Sequence, residues 1–293
     1  MQDGSPRCGR INYTNDLPVY AAFDAGALEF PGTLHPGTPA DLNLRLSAGE
    51  LDISPVSSFY YAQHANELSL LPFVCIGAHG PVRSVCCVSE QHPRELAGAR
   101  VAVTHESATG RALFDVICRK FYGFAPEFHE SADPYAEHRR DGLPCVLIGD
   151  AAIDASLNAA GKHVFDLGSL WRELTGLGMV YAVWATTNEY AARHGERVTA
   201  VMGSLREALR WSEEHMRQVI ASAQALRPRP PGFYEAYYRD LDFRFPTPGD
   251  DGAARDDRLE GMRALVGLAV ELGLLDRQAL VGAAREVLNY AGR

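Results

Sequence analysis

The chain alternates short β-branched or apolar runs with longer stretches in which apolar residues recur every three or four positions. Runs of the first kind predict buried strands, and stretches of the second kind predict helices with one apolar face. A clear example begins with a strand at Arg100–Val103 and continues through a hydroxyl-rich turn at 104–110. The helix that follows ends at Gly123. This alternation predicts an α/β protein whose sheets are largely parallel and flanked by helices.

Polar or small residues stand at several of the predicted strand-to-helix turns. In open α/β sheets ligands bind at the carboxyl ends of strands, and the free amides and dipole of a helix N-terminus favour an anion. One further candidate, Ser84, lies inside a predicted strand at 82–89. The candidate residues from these positions are Asn15, Ser57, Ser84, Thr104, Ser107, Thr109, Gly149 and Asp150.

Several of these candidates also have a structural interpretation that the residues alone leave open. Asn15 can be a turn residue, and Ser107 or Thr109 can cap the helix that begins there. Ser84 can be a buried serine of the core. Asp150 can be a helix N-cap, or a carboxylate that orients a ligand hydroxyl.

Two polar crossings, near residues 90 and 186, divide the chain discontinuously. The first lobe is predicted to contain residues 1–91 and 186–293, and the second to contain residues 92–185. The candidate residues fall on both sides of this division. A small anion bound between two lobes that close over it is therefore the arrangement we expect.

Composition narrows the range of partners. The 293 residues include 28 Lys and Arg against 37 Asp and Glu, which gives a net charge of −9. This balance argues against a nucleic acid or an anionic membrane as the main partner, and no apolar run approaches the length of a membrane span. The N-terminus has neither a basic n-region nor an apolar h-region, so we expect no secretory signal.

The cysteines point to a reducing compartment. Five of the six lie in apolar runs, and no C-x-x-C pair occurs. The adjacent Cys86 and Cys87 would point to opposite faces of a strand. We therefore expect buried free thiols in the cytoplasm rather than a disulfide scaffold or a zinc site.

Over nearly its whole length the chain resembles the MqnA family, the chorismate dehydratases of the futalosine route to menaquinone. The matching pieces are weak one by one, but their order and spacing together are specific. They are RINYTNDLP at 10–18, LDISPV at 51–56, GPVRS at 80–84, SAT at 107–109, VLIGDAA at 146–152, DLG at 166–168, TGL at 175–177 and LDFRF at 241–245.

The resemblance implies a two-lobed, type II periplasmic-binding-protein-like fold, used as a cytoplasmic enzyme without a metal or an organic cofactor. It implies that the substrate is chorismate, which loses water to give 3-[(1-carboxyvinyl)oxy]benzoate. Asn15 carries over as the catalytic residue, and Ala108 joins Ser107 and Thr109 in a substrate-binding turn. The resemblance leaves the oligomeric state open.

The chain departs from the family at three positions. The family often has Leu at the position of Thr14, Ser or Thr at that of Gly110, and Pro at that of Gly178. Of these changes, Gly110 removes a possible ligand hydroxyl. Two rival functions stay open: a non-catalytic solute-binding protein for a small carboxylate, and a related lyase or transferase that acts on a larger menaquinone precursor.

Overall fold

The computed structural model describes residues 4–106, 108–158, 163–245 and 256–279, and within these ranges the strands form two sheets. In spatial order, the first sheet contains β11 (Leu241–Arg244), β4 (Leu68–Ala78), β10 (Met179–Thr187), β3 (Ile53–Ser57), β1 (Arg7–Ile11) and β2 (Thr33–Gly37). The second sheet contains β7 (Glu127–Glu130), β6 (Arg100–Val103), β8 (Cys145–Ile148), β5 (Val85–Val88) and β9 (Val164–Asp166).

Helices flank both sheets and connect most of the strands. A 3-10 turn at Thr14–Asp16 follows β1. The α-helices in the same ranges are α1 (Leu17–Asp24), α2 (Pro39–Ser47), α3 (Ser58–Gln63), α4 (Ala108–Val116), α5 (Pro134–Asp141), α6 (Gly149–Asn158), α7 (Leu167–Thr175), α8 (Asn188–Arg193), α9 (Gly195–Glu214), α10 (Met216–Leu226), α11 (Phe233–Asp240) and α12 (Asp257–Glu271). A π-helix at Ile117–Tyr122 extends α4 to Gly123, whose φ of 81° ends the helix as the sequence predicts.

Both sheets are mixed rather than largely parallel. In the first sheet β1 runs parallel to β2 and β3, whereas β10 runs antiparallel to β3 and β4, and β11 antiparallel to β4. In the second sheet β6 runs parallel to β7 and β8, whereas β5 runs antiparallel to β8 and β9. The reversal follows from the crossings. β10 enters the first sheet at the end where β3 stops, and β5 enters the second sheet at the end where β8 stops, so each runs antiparallel to that neighbour.

The crossings themselves lie earlier in the chain than the sequence predicts. β5 already belongs to the second sheet, so the first crossing falls between Ala78 and Val85 rather than near residue 90. β10 has already returned to the first sheet, so the second crossing precedes Met179 and does not lie near residue 186. Each predicted boundary is one strand late, because an apolar run does not reveal which sheet it joins.

The cores of the two lobes are continuous. One cluster of buried apolar side chains joins Ile53 and Trp184 of the first lobe with Val101 and Phe114 of the second. A smaller cluster covers the other face of the second sheet and contains Cys86. All six cysteines are buried and free, and Cys86 and Cys87 lie in different clusters, as the sequence predicts. None of the helices in the described ranges has the length and apolarity that a bilayer crossing requires.

Candidate active site

Ends of strands from both sheets meet at a cavity that is partly open to solvent. Ile11 of β1 and Ser57 of β3 reach the cavity from the first lobe, and Ile148 of β8 reaches it from the second. Val85 of β5 and Ala182 of β10, the strands that follow the two crossings, also line it. The cavity therefore lies at the junction of the two lobes.

Most of the sequence-derived candidates come together here. The first lobe supplies two of them and the second lobe, with the crossing that leads to it, supplies four. The candidates that line the cavity are Asn15, Ser57, Ser84, Ala108, Thr109 and Gly149.

The three other candidates are placed differently. Ser107 lies outside the described residues. Thr104 lines a neighbouring cleft together with His105 and Arg111, rather than the cavity. Asp150 is buried, and both of its carboxylate oxygens accept hydrogen bonds from Thr14 of the opposite lobe. The geometry thus separates Asp150 from the residues that line the cavity.

The N-terminus of α4 supplies the part of the cavity that suits an anion. Ala108, Thr109 and Gly110 form its first turn and line the cavity. First-turn amides have no intrahelical acceptor, and the helix dipole favours negative charge beside them. No Lys, Arg or His is found among the described residues of the cavity wall. A bound carboxylate would therefore depend on amides and hydroxyls rather than on an ion pair.

The hydroxyls of Ser57 and Thr109 both accept hydrogen bonds from backbone amides at the start of α3. Ser57 Oγ accepts a hydrogen bond from the Tyr60 amide at 3.2 Å and so caps the helix. Thr109 Oγ1 accepts from the Phe59 amide at 3.2 Å, which joins α4 of the second lobe to α3 of the first. A hydroxyl keeps its own donor when it accepts in this way. Thr109 can therefore hold the two lobes together and still donate to a ligand.

Gly149 allows the two lobes to approach closely beside the cavity. Its φ is 62°, and a Cβ at this position would lie 2.7 Å from the aromatic ring of Tyr13. Its amide donates to the carbonyl of Ser84 at 2.8 Å, while Ser84 Oγ donates to the Val82 carbonyl at 3.2 Å. A side chain at residue 149 would be strained by its φ and would displace Tyr13.

Three polar residues of the cavity wall are not among the candidates that the sequence patterns predict: Tyr13, Glu106 and Tyr181. Tyr13 donates its O–H to Glu106 Oε2 at 2.8 Å across the two lobes. Tyr181 is 7% exposed, and its hydroxyl, like Asn15 Oδ1, has no hydrogen-bond partner within the described residues. Burial raises the pKa of the Tyr181 phenol, so it stays protonated and can donate. The sequence does hold a signal for Tyr181, because it is a tyrosine in an apolar strand next to a crossing. A buried phenol needs a hydrogen-bond partner, which a ligand can supply.

The fold and the cleft define a class of protein, the two-lobed periplasmic-binding-protein-like fold. A protein described as having the generic periplasmic binding protein fold, from Candida albicans, superposes with a TM-score of 0.68 at 10% identity, covering 97% of this chain and 95% of its own. The periplasmic aliphatic sulphonate binding protein SsuA from Escherichia coli gives a TM-score of 0.61 at 16% identity, with 96% and 92% covered. At these identities the likeness concerns the fold alone.

The sequence itself identifies the family. Residues 6–255 match the menaquinone biosynthesis family, and the chain belongs to it. A chorismate dehydratase from Thermus thermophilus is 33% identical over 241 residues, which cover 75% of this chain and 81% of that protein. The family predicted from the sequence motifs is therefore confirmed.

Proposed function

We propose that the protein is a chorismate dehydratase that forms 3-[(1-carboxyvinyl)oxy]benzoate in the futalosine route to menaquinone. The observation that carries the proposal is the interlobe cavity, which is lined by both Asn15 and the N-terminus of α4. The family and the Thermus relative support the same reaction. The amide and hydroxyl donors of the cavity suit a small dicarboxylate.

The reaction depends more on the positioning of the reacting groups than on a strong acid or base from the protein. The 4-hydroxyl of chorismate leaves as water with the proton on the carbon that bears the enolpyruvyl ether, and the ring becomes aromatic. Aromatisation supplies the driving force, so the enzyme has to hold the reacting groups in place and assist proton transfer. The first-turn amides of α4 and the Thr109 hydroxyl would hold one carboxylate, and Asn15 would hold the other carboxylate or the leaving hydroxyl.

The substrate's own enolpyruvyl carboxylate is the proton acceptor that we propose. The Asn15 amide is too weak a base at neutral pH. Glu106 is a carboxylate in the described cavity wall, but it already accepts the Tyr13 O–H at 2.8 Å. An Asn15→Asp variant that gained activity with a base-like pH profile would count against a substrate-derived base, as would loss of turnover in Glu106→Gln with unchanged substrate affinity.

A non-catalytic binding protein for a small carboxylate is the second candidate, because periplasmic binding proteins share the fold. Incubation with chorismate separates the two, with ultraviolet absorbance followed over time and the product identified by mass spectrometry. The proposed enzyme converts chorismate into the carboxyvinyloxybenzoate. A binding protein leaves chorismate unchanged while binding it.

Replacing Thr109 with Val tests the α4 turn. Loss of a hydrogen bond to a charged carboxylate should raise the KM for chorismate about tenfold to hundredfold. The Phe59 amide also loses its acceptor, so the free energy of unfolding should fall by about 1–3 kcal/mol. Initial rates and thermal melts measure the two effects.

The matched control is Thr38→Val, since Thr38 Oγ1 caps α2 by accepting from the Asp41 amide at 3.4 Å. This variant should lose about 1 kcal/mol of stability and keep its KM. An unchanged KM in Thr109→Val, with lowered stability, would show that Thr109 only joins the two helices.

A further inference from the structure

We propose that Asp150 is a positioning residue for Asn15 that acts across the cleft through Thr14, and that it does not touch the substrate. The role of Asn15 in turnover rests on the proposed function. The positioning itself is a statement about the chain alone. Asp150 is the second residue of α6 in the second lobe, whereas Thr14 and Asn15 belong to the 3-10 turn after β1 in the first.

The contact uses the whole carboxylate. The Thr14 amide donates to Asp150 Oδ2 at 3.1 Å, and Thr14 Oγ1 donates to Oδ1 at 2.7 Å. Asp150 is 3% exposed and Thr14 is fully buried. Charge-assisted bonds of this kind are strong and directional, so they fix the backbone of the residue that precedes Asn15.

The same turn is held on its other sides. The Tyr238 hydroxyl donates to the Thr14 carbonyl at 2.9 Å, and the Tyr13 hydroxyl donates to Glu106 at 2.8 Å. Both residues that precede Asn15 are thus bound to the second lobe. Asn15 Oδ1 itself has no partner within the described ranges. The orientation of the Asn15 amide therefore depends on the turn. The turn is held by Tyr238 within the first lobe and by Asp150 and Glu106 across the cleft, and the contacts across the cleft require the lobes to be together.

Two arginine side chains lie close to the Asp150 carboxylate. Arg227 Nε lies 3.4 Å from Oδ2 and an Arg229 terminal nitrogen lies 3.5 Å from Oδ1. Both follow α10, on the side of the first lobe, so they add to the same interlobe contact. These cations offset the cost of burying the carboxylate. Asp150 is buried in these contacts and does not line the cavity, so its carboxylate holds the turn rather than a ligand hydroxyl.

A double-mutant cycle measures whether Asp150 acts through Asn15. Asp150→Asn should lower kcat/KM for chorismate about 100-fold in the wild-type background, because small misplacements of a reacting geometry cost about that much. In an Asn15→Ala background the same change should alter kcat/KM by less than about threefold. Equal losses in both backgrounds would overturn the proposal, because an independent structural role is additive.

Asp154→Asn is the matched control. Asp154 lies one helical turn further along α6 and pairs with Arg229, but it makes no bond to Thr14. It should leave kcat/KM within about twofold of wild type. If kcat/KM fell as much in Asp154→Asn as in Asp150→Asn, the arginine contacts would account for the loss. That result would overturn the role of Thr14.

Hydrogen exchange followed by mass spectrometry gives a readout that needs no turnover. In Asp150→Asn the amides of residues 14–17 should exchange about tenfold to hundredfold faster than in wild type, with unchanged exchange in β1 and α6. Unchanged exchange at residues 14–17, or faster exchange throughout the chain, would contradict the positioning role. A wild-type chain that leaves chorismate unchanged would refute the proposed function, and the exchange result would still decide the role of Asp150.

Discussion

Replacing Asn15 with Ala should lower kcat/KM for chorismate by about 100- to 1,000-fold, which is the usual effect of removing one group that stabilises a transition state. Asn15 lines the cavity with a buried Oδ1 that has no partner among the described residues, so its amide is available to the substrate. Initial rates of product formation measure the loss. The melting temperature should stay close to that of wild type, because the removed Oδ1 leaves no described hydrogen-bond donor unpaired.

The control for this variant is Asn12→Ala, an exposed asparagine three residues earlier in the same connection. Its side chain does not line the cavity, and its backbone amide donates to the Gly37 carbonyl at 3.1 Å, a bond that the substitution keeps. Turnover should be unaffected. Full activity in Asn15→Ala would remove Asn15 from the mechanism and with it the main argument from the family motif.

Replacing Tyr181 with Phe should raise the stability of the protein and weaken its binding of the ligand. The phenol is buried without a partner within the described part of the chain, so its removal should raise the free energy of unfolding by about 1 kcal/mol. The phenol is free to donate to a carboxylate of the bound product, and the loss of that bond should weaken product binding about tenfold to hundredfold. Thermal melts and the dissociation constant of the product, measured by calorimetry, test the two signs.

Tyr20→Phe provides the contrast. The Tyr20 hydroxyl donates to the Gly9 carbonyl at 3.2 Å and accepts from Trp184 Nε1 at 3.1 Å. Its removal leaves buried groups unpaired, so this variant should lose about 1–3 kcal/mol of stability and keep its product affinity. A destabilised Tyr181→Phe with unchanged affinity would show that the Tyr181 phenol serves the fold rather than the ligand.

The sequence predicts what is local. Each strand-to-helix turn is visible in its own residues, and for this reason the sequence alone indicates Asn15, Ser57, Thr109 and Gly149 as candidates. The sheet to which a strand belongs is not local. β5 and β10 are apolar runs like their neighbours, and only pairing with β8 and β3 assigns them to a lobe.

The misplaced candidates show the same limit. Asp150 stands at a helix start, as its sequence context predicts, but the direction of its carboxylate is set by Thr14, 136 residues away in the chain. Thr104 belongs to the same turn as Thr109, yet it faces the neighbouring cleft. Tyr181 belongs to a strand of large apolar residues, and its hydroxyl gains significance only beside a cavity.

A crystal structure of the protein with 3-[(1-carboxyvinyl)oxy]benzoate bound tests the central claim most directly. We predict that the product lies in the cavity between the lobes, with one carboxylate at the first turn of α4 and the amide of Asn15 within hydrogen-bond distance of the ligand. Asp150 should still be bonded to Thr14 and should not contact the product. A product molecule whose contacts all fall within one lobe would contradict both the site and the proposed reaction.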